Sequence, residues 1–118
     1  MRVSQPGLAR AHGLFNVLSG VWPLVSMDSF ERVTGPKIDD WLVRTVAGLL
    51  ISTGAAQLAA GDSPGGLRVA RLLGQGTAVT LGVVDVVYAS SGRISKVYLA
   101  DAVLETAWVA LWSASSPR

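Results

Sequence analysis

The sequence predicts an all-α fold: an up-down-up-down bundle of four transmembrane helices, in one domain over 1–118. Three observations predict it. Four apolar segments have the length of a bilayer span, about 20 residues. Charged residues make up only 15% of the chain and mean hydropathy is +0.44, where soluble domains carry about 25% charged residues. The few ionisable groups inside the apolar segments recur at helical spacing on single faces.

The first segment, Ala11 to Met27, has no formal charge, with His12 and Asn16 as its strongly polar residues and Pro23 near its end. Arg2 and Arg10 ahead of it imitate a signal peptide, but Val25-Ser26-Met27 followed by Asp28 is a poor cleavage site, so a retained helix is expected. The connection after it, Asp28 to Asp40, is the longest. Asp28 with Glu31 three residues on resembles a capping box, which predicts a short interfacial helix through Phe30 and Val33. Gly35-Pro36 ends it.

The second segment runs from Trp41 to Gly61 and carries one charge, Arg44, in its first turn; Asp39 or Asp40 is positioned to cap it. A turn over Asp62 to Gly66 leads to the third segment, Leu72 to Gly92, whose one charge is Asp85. Gly92 suits a helix C-terminus and Ser95 an N-cap. The fourth segment, Val97 to Pro117, contains Asp101 and Glu105. Both chain ends then lie on one side. A soluble bundle needs a polar outer face on every helix, and neither Val46 to Ala60 nor Leu72 to Val84 holds a charged residue to supply one.

Orientation is undecided by charge. Arg2, Arg10, Arg68, Arg71 and Arg118 fall on the terminal side, and Arg32, Lys37, Arg44, Arg93 and Lys96 on the other, so the positive-inside rule is balanced; the shortness of the loop beside Arg68 and Arg71 favours termini inside. Trp22 and Trp41 are expected at the first-connection interface, Trp108 and Trp112 at the terminal one. Small residues recur as the stripes Gly48-Ser52-Ala56 and Gly74-Ala78-Gly82, with Gly13 and Gly20 on the first segment. These permit close helix approach or an oligomer interface.

Composition also excludes chemistry. With no cysteine and one histidine, disulfides, thiol catalysis and multi-histidine metal sites in one chain are ruled out. A formal charge of +2 does not suggest nucleic acid. No metal and no cofactor are expected. The informative residues are the ionisable ones inside the spans, which are costly there and mark functional sites. Tyr98, Asp101, Glu105, Trp108 and Trp112 share one face of the fourth segment; His12, Asn16 and Ser19 share one face of the first.

From the first-connection side, Arg44 lies about 5 Å deep, Asp85 and Asp101 about 10 Å, and Glu105 about 15 Å. Arg44 is long enough to pair with Asp85 or Asp101, while Glu105 is deep enough to meet Asn16. His12, near the opposite surface, reads as an interfacial or packing residue. One Arg against three acids leaves carboxyls that either hold a proton or accept a cation.

Certain patches carry a resemblance: Phe15-Asn16, Ser19-Gly20, Trp22-Pro23-Leu24, Ser29-Phe30-Glu31, Val33-Thr34-Gly35-Pro36-Lys37, Asp40-Trp41-Leu42-Val43-Arg44-Thr45-Val46, Gly92-Arg93-Ile94-Ser95, Val97-Tyr98-Leu99, Asp101-Ala102 and Glu105. In these the chain resembles small bacterial four-span integral membrane proteins, broadly similar to DoxX-like proteins. The resemblance implies a four-helix membrane fold and brings no mechanism with it.

Three functions are therefore open. In the first, Asp85, Asp101, Glu105, Arg44, Asn16, Tyr98 and Trp108 line a site for a proton, a cation or a small amphiphile, in a protein expected to be a homo-oligomer. In the second, Asp101 or Glu105 is the acid of an intramembrane isomerase or cyclase acting on a lipid-soluble substrate. In the third, the polar groups fix packing in an accessory subunit. The bilayer is the expected partner, with a small or lipid-like ligand beside it, and the cytoplasmic membrane the expected location, crossed several times.

Overall fold

In this computed structural model, which describes residues 3–117, the fold is all-helical apart from one two-residue pairing. The order is β1 (Val3–Ser4), α1 (Gln5–Val25), α2 (Met27–Thr34), α3 (Asp40–Leu58), α4 (Pro64–Ser90), α5 (Tyr98–Ser113) and β2 (Ser115–Ser116). The four long helices follow the four apolar segments, with shifted ends. α1 starts six residues before the expected Ala11 because Ser4 caps it, accepting from Gly7 N at 3.5 Å, and Pro6 fits its first turn. α4 starts at Pro64, well before Leu72, because Ser63 accepts from Gly66 N at 3.0 Å. The turn before it therefore lies at 59–63, around Gly61 with φ 64°.

The short helix α2 forms as expected, but Ser26, not Asp28, is its N-cap, accepting from Ser29 N at 3.4 Å. Asp28 sits in the first turn instead. Gly35, at φ 96°, ends it. Asp39 occupies the N-cap position of α3 without a side-chain cap bond. Ser95 caps the turn into α5, accepting from Val97 N at 3.2 Å, and helix proper begins at Tyr98.

The helices assemble as two tight antiparallel pairs, α1 with α3 and α4 with α5. Glycines set the first pair. A Cβ at Gly13 would stand 2.8 Å from the Gly54 carbonyl oxygen, and one at Gly20 would overlap the Ala47 carbonyl oxygen. The expected stripe Gly48-Ser52-Ala56 is not the packing face: Ser52 and Ala56 are exposed and Gly48 has nothing near it. α3 turns Ala47, Gly54 and Gln57 inward instead. On α4 the stripe does pack, with Gly74 and Ala78 buried and Gly82 against the Cβ of Glu105.

The up-down-up-down course holds: Gly13 meets Gly54 and Gly20 meets Ala47, while Gly74 meets Trp112 and Gly82 meets Glu105. Both chain ends lie on one side, where β1 and β2 pair and Gln5 donates to Ser115 Oγ at 3.1 Å. The other end is covered by α2, which folds back on α1: Trp22 Nε1 donates to Ser29 Oγ at 2.9 Å and the Trp22 ring meets Phe30 edge-on. Beyond it, Lys37 donates to the Thr34 and Gly35 carbonyls and lies 5.0 Å from the Tyr98 ring centroid. That contact ties the first connection to the start of α5.

α3 and α4, of 19 and 27 residues, are long and apolar enough to cross a membrane. α5, at 16 residues, is shorter than the expected segment, and polar Gln5, Arg10, His12 and Asn16 dilute α1. Apart from Leu8, Leu67 and Trp112, the buried apolar residues are alanines, while Gln5, His12, Asn16, Thr34, Gln57, Asp85 and Glu105 are buried and many Leu and Val side chains face outward.

Candidate functional site

Two polar clusters occupy the inner face of the bundle. The first lies toward the α2 end, between α4 and α5. Asp85 is presented by the inward row of α4 that also carries Gly74, Ala78 and Ala89. Asp101 and Glu105 lie one turn apart on α5. Gly82, three residues before Asp85 on α4, packs against the Cβ of Glu105, so the three acids share the α4–α5 seam. Asp85 and Glu105 are 4% and 1% exposed, whereas Asp101 is half-buried. Asp85 Oδ2 and Glu105 Oε1 have no hydrogen-bond partner.

A carboxylate only accepts hydrogen bonds, so a buried carboxyl with no donor beside its oxygen is a group that can take up a proton. The expected company of this triad is only partly present. Arg44 is exposed; α3 packs chiefly on α1, away from the α4–α5 seam, so the predicted pairing of Arg44 with Asp85 and Asp101 does not form. Lys96 is spent on the Ala89 carbonyl at 2.7 Å. Tyr98 faces Lys37 rather than the acids.

The second cluster lies toward the terminal end. His12 is fully buried. Its Nδ1 accepts from Trp112 Nε1 at 2.9 Å and lies 3.2 Å from Gln57 Nε2. Gln57 Nε2 also donates to the Ala70 carbonyl at 3.3 Å, and its Oε1 accepts from Asn16 Nδ2 at 2.8 Å. The His12 ring stacks on Trp108, with centroids 4.3 Å apart. Asn16 thus bonds to Gln57, not to Glu105 as its depth suggested.

Trp108 and Trp112, toward the terminal end, are half-buried and fully buried, and Trp22 and Trp41, toward the first connection, are exposed. Gln57 and Trp112 were passed over as site residues. The available signal was that Gln57 is the one amide in the charge-free stretch Val46 to Ala60.

Two cavities lie away from the triad. One, about 340 Å³, is lined by Asp28, Glu31, Arg32 and Pro36. The other, about 180 Å³, lies between α3 and α4 beside Leu49, Thr53, Thr77 and Leu81. Among the described residues no group of three His, Cys, Asp or Glu side chains is arranged to hold a metal ion. Comparison with protein families, curated proteins and solved structures gives no match to this chain.

Proposed function

We propose that this chain is an integral membrane protein of four spanning helices whose buried carboxyl triad, Asp85, Asp101 and Glu105, binds and releases protons. The carrying observation is the burial of Asp85 and Glu105, each with an unpartnered oxygen, on the seam that also carries Asp101. Of the ligands that intramembrane acids can take, the proton needs neither a cavity nor a ligand shell. The two cavities described lie elsewhere, and the triad lacks metal-binding geometry. An outward face of Leu and Val around inward acids supports the bilayer as the solvent. Spanning helices, rather than a closed barrel, fit the cytoplasmic membrane of a bacterial cell.

Infrared difference titration of the purified protein tests the reading. The carbonyl band of a protonated carboxylic acid is expected to rise and fall with pH in the wild type and to lose a component in Glu105→Gln, with the helical amide signal unchanged. Identical titrations in wild type and folded Glu105→Gln would remove the triad as a proton site.

A further inference from the structure

The two polar clusters are not two halves of one conducting path. Trp112 fixes the tautomer of His12: an indole N–H only donates, so His12 Nδ1 is the acceptor and Nε2 carries the hydrogen. To relay a proton, His12 would have to take one at Nδ1 and release one from Nε2. Nδ1 is closed by the Trp112 indole, which has no lone pair to pass a proton along, and by the Gln57 amide.

The groups beside His12 are Gln57 from α3, Gly74 from α4, Trp108 and Trp112 from α5, and Phe15 on its own helix, and its Nε2 has no hydrogen-bond partner. None of these is an acid or a base. Beyond them, toward the chain ends, Leu8, Ala9, Leu67, Ala70 and Trp112 form the apolar cluster of the fold, with Val3, Ala60 and Trp108 packed against it. The pairing of β1 with β2 lies over that layer.

The opposite end differs. Asp101, one turn from Glu105 on α5, is the half-buried acid, and it lies in the first turn of that helix beside the Lys37–Tyr98 contact of the first connection. We propose that the triad exchanges protons with the α2 side of the membrane alone, through Asp101, and that the Trp112–His12–Gln57 network with the apolar layer beyond it is a proton seal toward the terminal side. The inference rests on the proton reading of the triad. It adds that the protein couples proton binding to events on one side instead of conducting protons through.

Sealed membrane vesicles of both orientations test it, right-side-out and inverted, carrying the full chain in a phosphatidylethanolamine and phosphatidylglycerol bilayer. The acid carbonyl band assigned by Glu105→Gln is followed after a pH step in the external medium, before the interior equilibrates. Should Glu105→Gln fail to fold, Asp85→Asn assigns the same band. The expected result is a response in one orientation and none in the other, the responding one being that with α2 outside. A response in both orientations, or only with the termini outside, overturns the seal while the proton site stands. A band that neither variant alters overturns the proton reading itself, and the seal with it.

Discussion

Gly74 shows how tightly a single residue position is specified inside this bundle. A Cβ there would lie 2.5 Å from Trp112 Nε1, 2.8 Å from Gln57 Nε2 and 2.9 Å from His12 Nδ1. Only a hydrogen leaves room for the three nitrogens to converge. Their convergence fixes which nitrogen of His12 is protonated, because two of them belong to donors. The prediction at this scale is spectroscopic. In 15N-histidine NMR of the wild type, the one histidine should show an unprotonated Nδ1 and a protonated Nε2 at neutral pH; the reverse tautomer would contradict the Trp112 contact. In the sequence His12 reads as near the terminal surface, because the apolar segment that holds it begins only at Ala11. With α1 beginning at Gln5, His12 lies two turns inside it, where a histidine must have partners. The acids were more legible. Asp85, Asp101 and Glu105 stand out as charges within apolar runs, and helical rise alone placed Asp85 and Asp101 at one depth.

At the scale of elements, small residues made the helices recognisable as packing elements without saying which face packs. A small-residue stripe reports that close approach is possible, and α3 has two candidates. The face taken, Ala47 and Gly54, is the one that also brings Gln57 onto Asn16 and His12. Burial of that amide needs partners, and this rotation of α3 supplies them in Asn16, His12 and the Ala70 carbonyl. The face left outward includes Gly48.

Glycine-to-alanine substitutions therefore separate the two faces. Gly54→Ala puts a carbon 2.5 Å from the Gly13 carbonyl oxygen and 2.8 Å from Val17 N, both backbone atoms of a packed helix, and should cost about 1–3 kcal/mol through overpacking. Gly48→Ala meets nothing within 4 Å and should gain up to about 1 kcal/mol from helix propensity. Unfolding in detergent with increasing denaturant measures both. Equal effects would mean that the α1–α3 contact is not made through Gly54. Caps were less legible than helices for a related reason. Ser26 and Ser63 lie in runs with several possible capping residues, and which one accepts depends on where the chain must turn to dock.

How many helices cross the bilayer in the proposed reading is a question for the whole molecule. Two of them, α3 and α4, qualify by length and composition alone. α1 runs along α3 from the Gly13–Gly54 contact to the Gly20–Ala47 contact, and α5 runs along α4 from Trp112 at Gly74 to Glu105 at Gly82. In the proposed membrane reading, a helix packed along a spanning helix shares its depth in the bilayer, so α1 would cross beside α3 and α5 beside α4. The dilute hydropathy of α1 follows from the same arrangement, since its polar residues His12 and Asn16 face inward and Leu14 and Leu18 face out. The proposed four-span topology predicts sidedness. The chain has no cysteine, so single cysteines report alone, and exposed positions exist at both ends: Ser4 and Asp62 at one, Ile38 and Arg93 at the other. With a membrane-impermeant maleimide, Ser4→Cys and Asp62→Cys should react from one side of the membrane, and Ile38→Cys and Arg93→Cys from the opposite side. A two-span protein would keep α1 on the side where α3 begins, and Ser4→Cys would then react together with Ile38→Cys. Ser4 is thus the deciding position, because it alone changes sides between the two topologies, and with it changes whether Asp85, Asp101 and Glu105 lie inside a four-helix wall or along the rim of a hairpin.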